Sequence, residues 1–466
     1  MDFLNFEIKP KYVPALDDNF RPASLVSRTF RDAVERSCGK THIAIALERG
    51  DGLVSTYNAR VFADGSGMDE MNFFYVERIV KSLLWMRGGW KVTIGGSKSI
   101  GEYIRKAYAA GGVREFDAKF MSKVYEKPFT VEVTDYDEAP EAKEAAKPVG
   151  RHLEGCRIGF DAGGSDRKVS AVINGEVVYS EEVIWHPKTR SDPDYHYNEI
   201  LKAVKTAAAH MPRVDAIGVS SAGIFINNRV RIASLFMKVP ENLFDQKVKD
   251  IYLNIAREMG DVPIEVANDG DVTALAGAID LQDNNVLGIA MGTSEAGGYV
   301  DKSGNITGWL NELAFVPVDF SPEAAVDEWS GDYGCGVKYL SQDAVIRLAP
   351  AAGIVLDEKL TPAEKLKVVQ ELNEKGDSRA VQIFKTIGCY LGYAIAYYAE
   401  FYDIRHVLIL GRVTSGKGGG TILDAASEIL KEEFPELSRK IELHLPDEPG
   451  RRVGQSIAAA SLPEIR

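Results

Sequence analysis

HVLILGRVTSGKGGGTILDAASEIL, residues 406–430, reads as an apolar strand, a glycine-rich turn and a helix. The reading of that turn decides the fold. Gly411-Arg412-Val413-Thr414-Ser415-Gly416-Lys417-Gly418 comes within one residue of a Walker A phosphate loop. Such a loop needs a Ser or Thr after its Lys to hold magnesium. Gly418 stands there instead, so the turn is either a damaged phosphate loop or a nucleotide loop of another fold.

The chain has 466 residues, too many for one ordinary core, and two or three domains are expected. With 45% hydrophobic and 26% charged residues it has the composition of a soluble globular protein. No apolar run approaches the roughly 20 residues of a membrane span, so no membrane partner is expected. The N-terminal MDFLNFEIKPKY has no signal-peptide pattern. Cys38, Cys156, Cys335 and Cys389 lack CxxC spacing, which suits reduced thiols in a cytoplasm. The net charge is -13; residues 1–150 carry 22 Lys+Arg against 22 Asp+Glu, so the acidic excess lies entirely beyond them. An acidic chain without a basic cluster lacks the cations that nucleic acid demands, and no nucleic-acid partner is expected.

Residues 134–155, TDYDEAPEAKEAAKPVGRHLEG, read as an exposed linker. Before it lie two strands, THIAIALE and VSTYNARVF, then the helix FFYVERIVKSLLWM, the strand KVTIGG, the helix SIGEYIRKAYA and the strand FTVEVT. After it, CRIGFDAGGSDRKVSAVINGEVVYSEEV predicts a three-stranded meander followed by alternating helices and strands. A second meander begins at NVLGIAMGTSEAGGYVDKSGNITG, ahead of a largely helical region and the opening strand, turn and helix. A strand–turn–strand unit followed by strands and helices thus occurs twice, which suggests two related α/β lobes.

Asp161-Ala162-Gly163-Gly164-Ser165-Asp166-Arg167-Lys168 is the first turn of the first lobe. Its small residues let backbone N–H groups approach an anion, Ser165 and Lys168 can touch phosphate oxygens, and Asp161 can hold a cation or its water. Alone, it reads better as a tight hairpin with glycines for positive φ. Met291-Gly292-Thr293-Ser294-Glu295-Ala296-Gly297-Gly298 repeats the pattern in the second lobe, and two such turns can grip one polyphosphate across a cleft. Between them, Asn268-Asp269-Gly270-Asp271 follows the strand PIEVA. A carboxylate at the C-terminal end of a strand in an α/β topology points into the usual ligand crevice. Asp269 could there take the proton of an attacking hydroxyl. Asp271 is read as a helix cap.

These motifs, in this order, resemble the ROK (repressor, open reading frame, kinase) family of the sugar kinase/Hsp70/actin superfamily, over residues 156–466. The family's DxGGTK turn resembles Asp161 to Lys168, its NDAN resembles Asn268 to Asp271, and its GTGxGGG resembles Gly292 to Gly298. Its GCLExYxS is similar to Gly334 to Ser341, and its terminal Gly-Ala-Ala helix to VGQSIAAAS. LILGRV resembles the family's adenosine strand and loop, which makes the Walker likeness accidental. The resemblance implies two actin-like (ribonuclease H-like) lobes, 156–280 joined by 451–466 and 281–450, and a cytoplasmic homodimer. It implies ATP and Mg²⁺ as cofactors and a sugar as substrate. Asp269 would be the base, Asn268, Glu312 and Gly223 (of SSAGIF) the sugar contacts, and Asp161 an indirect magnesium ligand. Gly163, Gly164, Ser165, Lys168, Gly292, Thr293, Gly297, Gly298 and Gly411 would hold the nucleotide and its phosphates.

The chain departs from the family at three places. The family's GExGH segment, whose His contacts sugar and structural zinc, is here Asn311-Glu312-Leu313-Ala314-Phe315. Its CxCGxxGC zinc cluster aligns with Glu328 to Cys335, where a single sulfur cannot make a tetrahedral thiolate site, so no structural zinc is expected. Arg412 replaces the second glycine of the adenosine loop, where it can either stack on a purine or block the pocket. Residues 1–133 form an additional α/β domain. VTIGGSKSIGEYI there resembles an adenosine loop, so this domain is either a diverged actin-like half or an unrelated module serving as dimer or lid surface. Two functions follow: an ATP-dependent carbohydrate kinase, or a catalytically silent sugar-binding sensor or scaffold.

Overall fold

The computed structural model describes residues 8–144, 149–446 and 448–465, with the backbone alone for 448–453. It is a mixed α/β protein whose chain divides into two compact units. One comprises Ala146–Gly288, Gly298–Gly308 and Pro446–Arg466; the other comprises Met1–Ala145, Ile289–Gly297 and Trp309–Leu445. Among the described residues no helix is long and apolar enough to cross a membrane.

Strands are numbered along the chain. β1 (Lys40–Glu48), β2 (Val54–Phe62), β3 (Lys91–Gly95) and β4 (Thr130–Thr134) make an N-terminal sheet of order β2-β1-β3-β4. β5 (Cys156–Ala162), β6 (Asp166–Ile173), β7 (Glu176–Ile184), β8 (Ala216–Ser221) and, after the short hairpin β9 (Ile224–Ile226) and β10 (Arg229–Ile232), β11 (Ile264–Asn268) make a sheet of order β11-β8-β5-β6-β7. β12 (Val286–Met291), β13 (Glu295–Val300), β14 (His406–Leu410) and β15 (Glu442–His444) make the last, of order β13-β12-β14-β15.

In the five-stranded sheet β5, β6 and β7 form the expected antiparallel meander, while β5–β8 and β8–β11 pair in parallel. β5 is covered on both faces, as central strands of this kind are. Ile158, Phe160 and Ala162 enter a core with Ile200 and Val204 of the helix Pro193–Ala208. Gly159, pointing the other way by strand alternation, is paired with Gly218 of β8. The C-terminal helix Glu448–Ala460 lies on these two glycines: a Cβ on Gly218 would stand 1.7 Å from the Ala459 carbonyl oxygen, and one on Gly159 2.5 Å from that of Ser456. The SIAAA run is therefore small because helix and sheet backbones touch.

The N-terminal sheet does not repeat that topology. β1 is antiparallel to both β2 and β3, whereas β5 is parallel to its inner neighbour β8. It is thus not built as a second actin-like half. The segment read as a linker also stays with this sheet as far as Glu144: Lys143 bridges to Val54, and the Pro140 carbonyl accepts from Thr56. Residues 145–148 of that segment lie outside the described residues. Beneath the sheet runs the helix Asp69–Arg87, buried from Tyr75 to Met86, which explains why it shows little amphipathicity. One face of it meets the segment 311–335 of the same unit.

Candidate functional site

In the unit containing the five-stranded sheet, the first turn forms as expected between β5 and β6, at Gly163-Gly164-Ser165. The Trp185 indole donates to the Gly163 carbonyl at 2.8 Å and the Trp185 N–H to that of Ser165 at 3.1 Å, which fixes the turn from below. Asp161 and Lys168 face each other across the β5–β6 ladder. The Asp161 carboxylate accepts from Ser220 of β8 at 2.9 Å. Burial raises its pKa, against the opposing effects of Ser220 and Lys168. Lys188 was not singled out from sequence. Its Nζ lies 2.9 Å from where a Cβ on Gly164 would be, so its ammonium lies against the turn.

Asp269 follows β11 and opens the helix Asp269–Asp280. Burial, then the negative charge of Asp161, push its carboxyl up to about 6, partly offset by the Gly270 N–H and Lys188. That value is suited to a base working near neutrality. The cap of this helix is Asn268, not Asp271: the Asn268 oxygen accepts from Gly270 at 2.8 Å, and its amide donates to the Gly223 carbonyl at 2.8 Å. Asp271 accepts instead from the Tyr299 N–H of β13 at 3.1 Å, because the close approach of Gly298 to Gly270 brings strand and helix together. Asp161, Gly163, Gly164, Lys168 and Asp269 are thus brought together with Lys188 and Ser220, and Asn268 is joined to Gly223.

In the other unit, the second turn is Gly292-Thr293-Ser294, with Gly292 accepting from the Gln342 N–H at 2.9 Å. Gly297 and Gly298 fall outside it, buried inside β13. A Cβ on Gly297 would stand 2.6 Å from the Asn311 carbonyl oxygen, and one on Gly298 2.0 Å from that of Gly270. Close packing against protein backbone, not a phosphate turn, is what keeps these two residues small. Gly411 follows β14 with φ 100°, and a Cβ there would meet the Met291 carbonyl at 2.3 Å. Arg412 after it is exposed, and its carbonyl accepts from Gln370 at 2.7 Å. The Walker-like lysine is engaged: the Lys417 N–H donates to the Glu374 carboxylate at 2.6 Å and its ammonium to the Glu374 carbonyl at 2.8 Å. A carboxylate at that helix N-terminus takes the place an anion would use. The turn is not a phosphate loop.

Glu312 is half-buried, its N–H donating to the Trp85 carbonyl at 3.0 Å. Phe315, in place of the family's His, stacks on Trp85 with ring centroids 4.2 Å apart, beside Phe116 and Phe120. The loop aligned with the zinc cluster is occupied by charges. Asp332 pairs with Arg78 at 3.1 Å, Arg114 at 2.9 Å and Lys81 at 3.2 Å. Glu77 pairs with Arg78 and Arg114, and Asp117 with Lys81 and the Trp85 indole. Three cations thus meet three carboxylates, all buried. Cys335 is buried beside them, and burial pushes its thiol up to about 12. Everything that contacts Phe315 and Asp332 in this way comes from residues 77–120, so the N-terminal layer supplies the contacts.

Glu295 at the start of β13 is buried with one oxygen on the Tyr398 hydroxyl at 3.1 Å and the other without a partner. Burial pushes its carboxyl up to about 8. The folded state therefore holds a proton that the unfolded chain gives up near its ordinary value of about 4.3. Stability conferred by the protonated form is complete below that value and is lost as pH rises through 8. Glu295→Gln should flatten this slope and raise the melting temperature on the alkaline side. An unchanged slope in a melting series across this range would assign it to other groups.

The ROK family profile matches residues 157–444, and the chain belongs to the ROK family. No curated protein matches it in sequence. Among solved structures, the ROK hexokinase from Thermus thermophilus is 18% identical, with 65% of this chain and 97% of that one covered at a TM-score of 0.51. A ROK family transcriptional regulator, a homolog of the E. coli MLC protein, is 19% identical, with 66% and 79% covered at a TM-score of 0.53. At these identities the likeness is one of fold.

Proposed function

We propose that the chain is an ATP-dependent kinase acting on a sugar or sugar derivative. The observation that carries this reading is Asp269, a carboxylate held at about 6 beside Asp161 and the cationic turn of Gly163, Gly164 and Lys188. Phosphoryl transfer needs positioning and charge stabilisation with one group to take the hydroxyl proton. Asp269 takes that proton, while Asn268 and Gly223, joined by a hydrogen bond, orient the sugar. The N–H groups of the first turn, Ser165, Lys168 and Lys188 receive phosphate oxygens. The residues fit magnesium, because Asp161 and Asp269 raise each other's cost of ionisation and a divalent cation relieves it; Asp161 would hold the ion through water. Magnesium supplies neutralisation of phosphate charge. A cytoplasmic homodimer belongs to this reading.

One observation favours a second reading, a silent sugar-binding sensor or scaffold. The Phe315 ring is given over to Trp85, so the family's His contact to sugar has no counterpart there. Calorimetric titration with ATP-Mg tests the nucleotide site that the kinase reading requires. The unaltered chain should bind, and Lys188→Ala should weaken binding by about tenfold or more, the scale of a charged hydrogen bond worth about 1.5–3 kcal/mol. Because Arg412 is exposed, Arg412→Gly should leave affinity the same or weaker. Binding seen only in Arg412→Gly would sink the kinase and leave the sensor.

A further inference from the structure

β15 is a three-residue edge strand paired in parallel with β14, and the register sets His406 opposite Glu442 and Leu408 opposite His444. Side chains two apart on a strand share a face, so Glu442 and His444 project on the same side, and His406 joins them from β14. His406 Nδ1 stands 3.0 Å from His444 Nε2, and one Glu442 oxygen is 3.8 Å from the first and 3.9 Å from the second. A circle through three atoms so spaced has a radius of about 2.1 Å, which is the length of a zinc–imidazole or zinc–carboxylate bond. Among the described residues this is the one group of three such side chains with its ligating atoms gathered within 4.8 Å.

We propose that His406, Glu442 and His444 form a binding site for a divalent transition-metal ion, zinc above all. Two imidazoles and a carboxylate make a set of borderline and hard donors that suits zinc and leaves a fourth position for water. His406 is buried, His444 half-buried and Glu442 exposed, so the ion has a rigid floor and an open side through which to enter. The two imidazoles lie within hydrogen-bond distance of each other. The ion would clip the edge strand to β14, whose far end leads to Gly411. The expectation of no structural zinc rests on the segment aligned with the family's cysteine cluster, and none of these three residues belongs to it.

The test is a calorimetric titration of chelator-treated full-length protein with zinc chloride, with melting curves alongside. One equivalent should bind and raise the melting temperature, since an ion held only by the folded chain stabilises it. His444→Ala should lower affinity by more than about 100-fold, beyond the roughly 10–100-fold that loss of an outer-shell contact alone costs. Glu442→Gln, at an exposed position that does not threaten folding, should weaken binding as well, while Cys335→Ser should leave it unchanged. Failure of the unaltered protein to bind at millimolar zinc overturns the proposal. So does stoichiometric binding that neither His444→Ala nor Glu442→Gln weakens.

Discussion

Asp332→Ala should lower the unfolding free energy by about 3–5 kcal/mol, the usual cost of removing one partner from a buried ion pair. The carboxylate it removes is shared by Arg78, Lys81 and Arg114, all buried with it. Without it three cations face only Glu77 and Asp117, in a place where water does not reach them. The exposed pair Lys40–Glu35 provides a control, since Lys40→Ala should change stability by less than about 1 kcal/mol. Equilibrium denaturation measures both. Hydrogen exchange along the helix Asp69–Arg87 should accelerate in the first variant alone. A loss as small as the control's would mean that the N-terminal layer is held by the aromatic stack of Phe315 on Trp85 and not by charge.

Asp269→Asn should leave sugar binding largely intact and lower turnover by about 10² or more, the scale of a lost general base. The cap of the following helix does not depend on it, because Asn268 performs that role. In the unaltered protein turnover should fall as pH drops through about 6, where the carboxyl takes up its proton. The same shift has a stability signature of opposite sense. A carboxyl whose folded pKa is raised favours folding while protonated, and that contribution disappears as pH rises through 6. The Asn variant should therefore be the more stable form at neutral pH, whatever its turnover. Turnover unchanged by the substitution would reassign Asp269 to the architecture of the helix start.

The first turn and the Asn268-Asp269 motif were legible because their chemistry is local. A turn needs glycines within a few residues, and a carboxylate at a strand end is announced by the apolar run before it. The C-terminal GQSIAAAS was legible for a similar reason, although its cause, the backbone contact at Gly159 and Gly218, lies in another part of the chain. Gly297 and Gly298 show the limit of such reading. Glycine permits both a phosphate turn and a close backbone approach, and the residues that crowd them, Asn311 and Gly270, are remote in sequence. Lys188 was invisible because nothing in HPKT distinguishes a lysine lying on Gly164 from one in solvent.

The loss of the His at Phe315 and of the cysteines before Cys335 was plain in the sequence, but what replaced them was not. Arg78 and Asp332 are 254 positions apart, and each alone reads as an ordinary surface charge. The N-terminal residues likewise looked separable, since strand and helix periodicity carries no information about which neighbour an element packs against. Antiparallel pairing of β1 with β3, which tells this sheet apart from an actin-like half, is equally absent from local pattern.

The most direct measurement is release of ADP from ATP-Mg across a panel of hexoses, amino sugars and N-acetylated amino sugars, run in parallel with Asp269→Asn. Saturable ADP release above the rate without sugar is expected with at least one member of the panel, and its loss in the variant. Saturable sugar binding with no sugar-dependent ADP release, in a protein that binds ATP-Mg or not, would contradict the kinase reading and leave the silent sensor in its place.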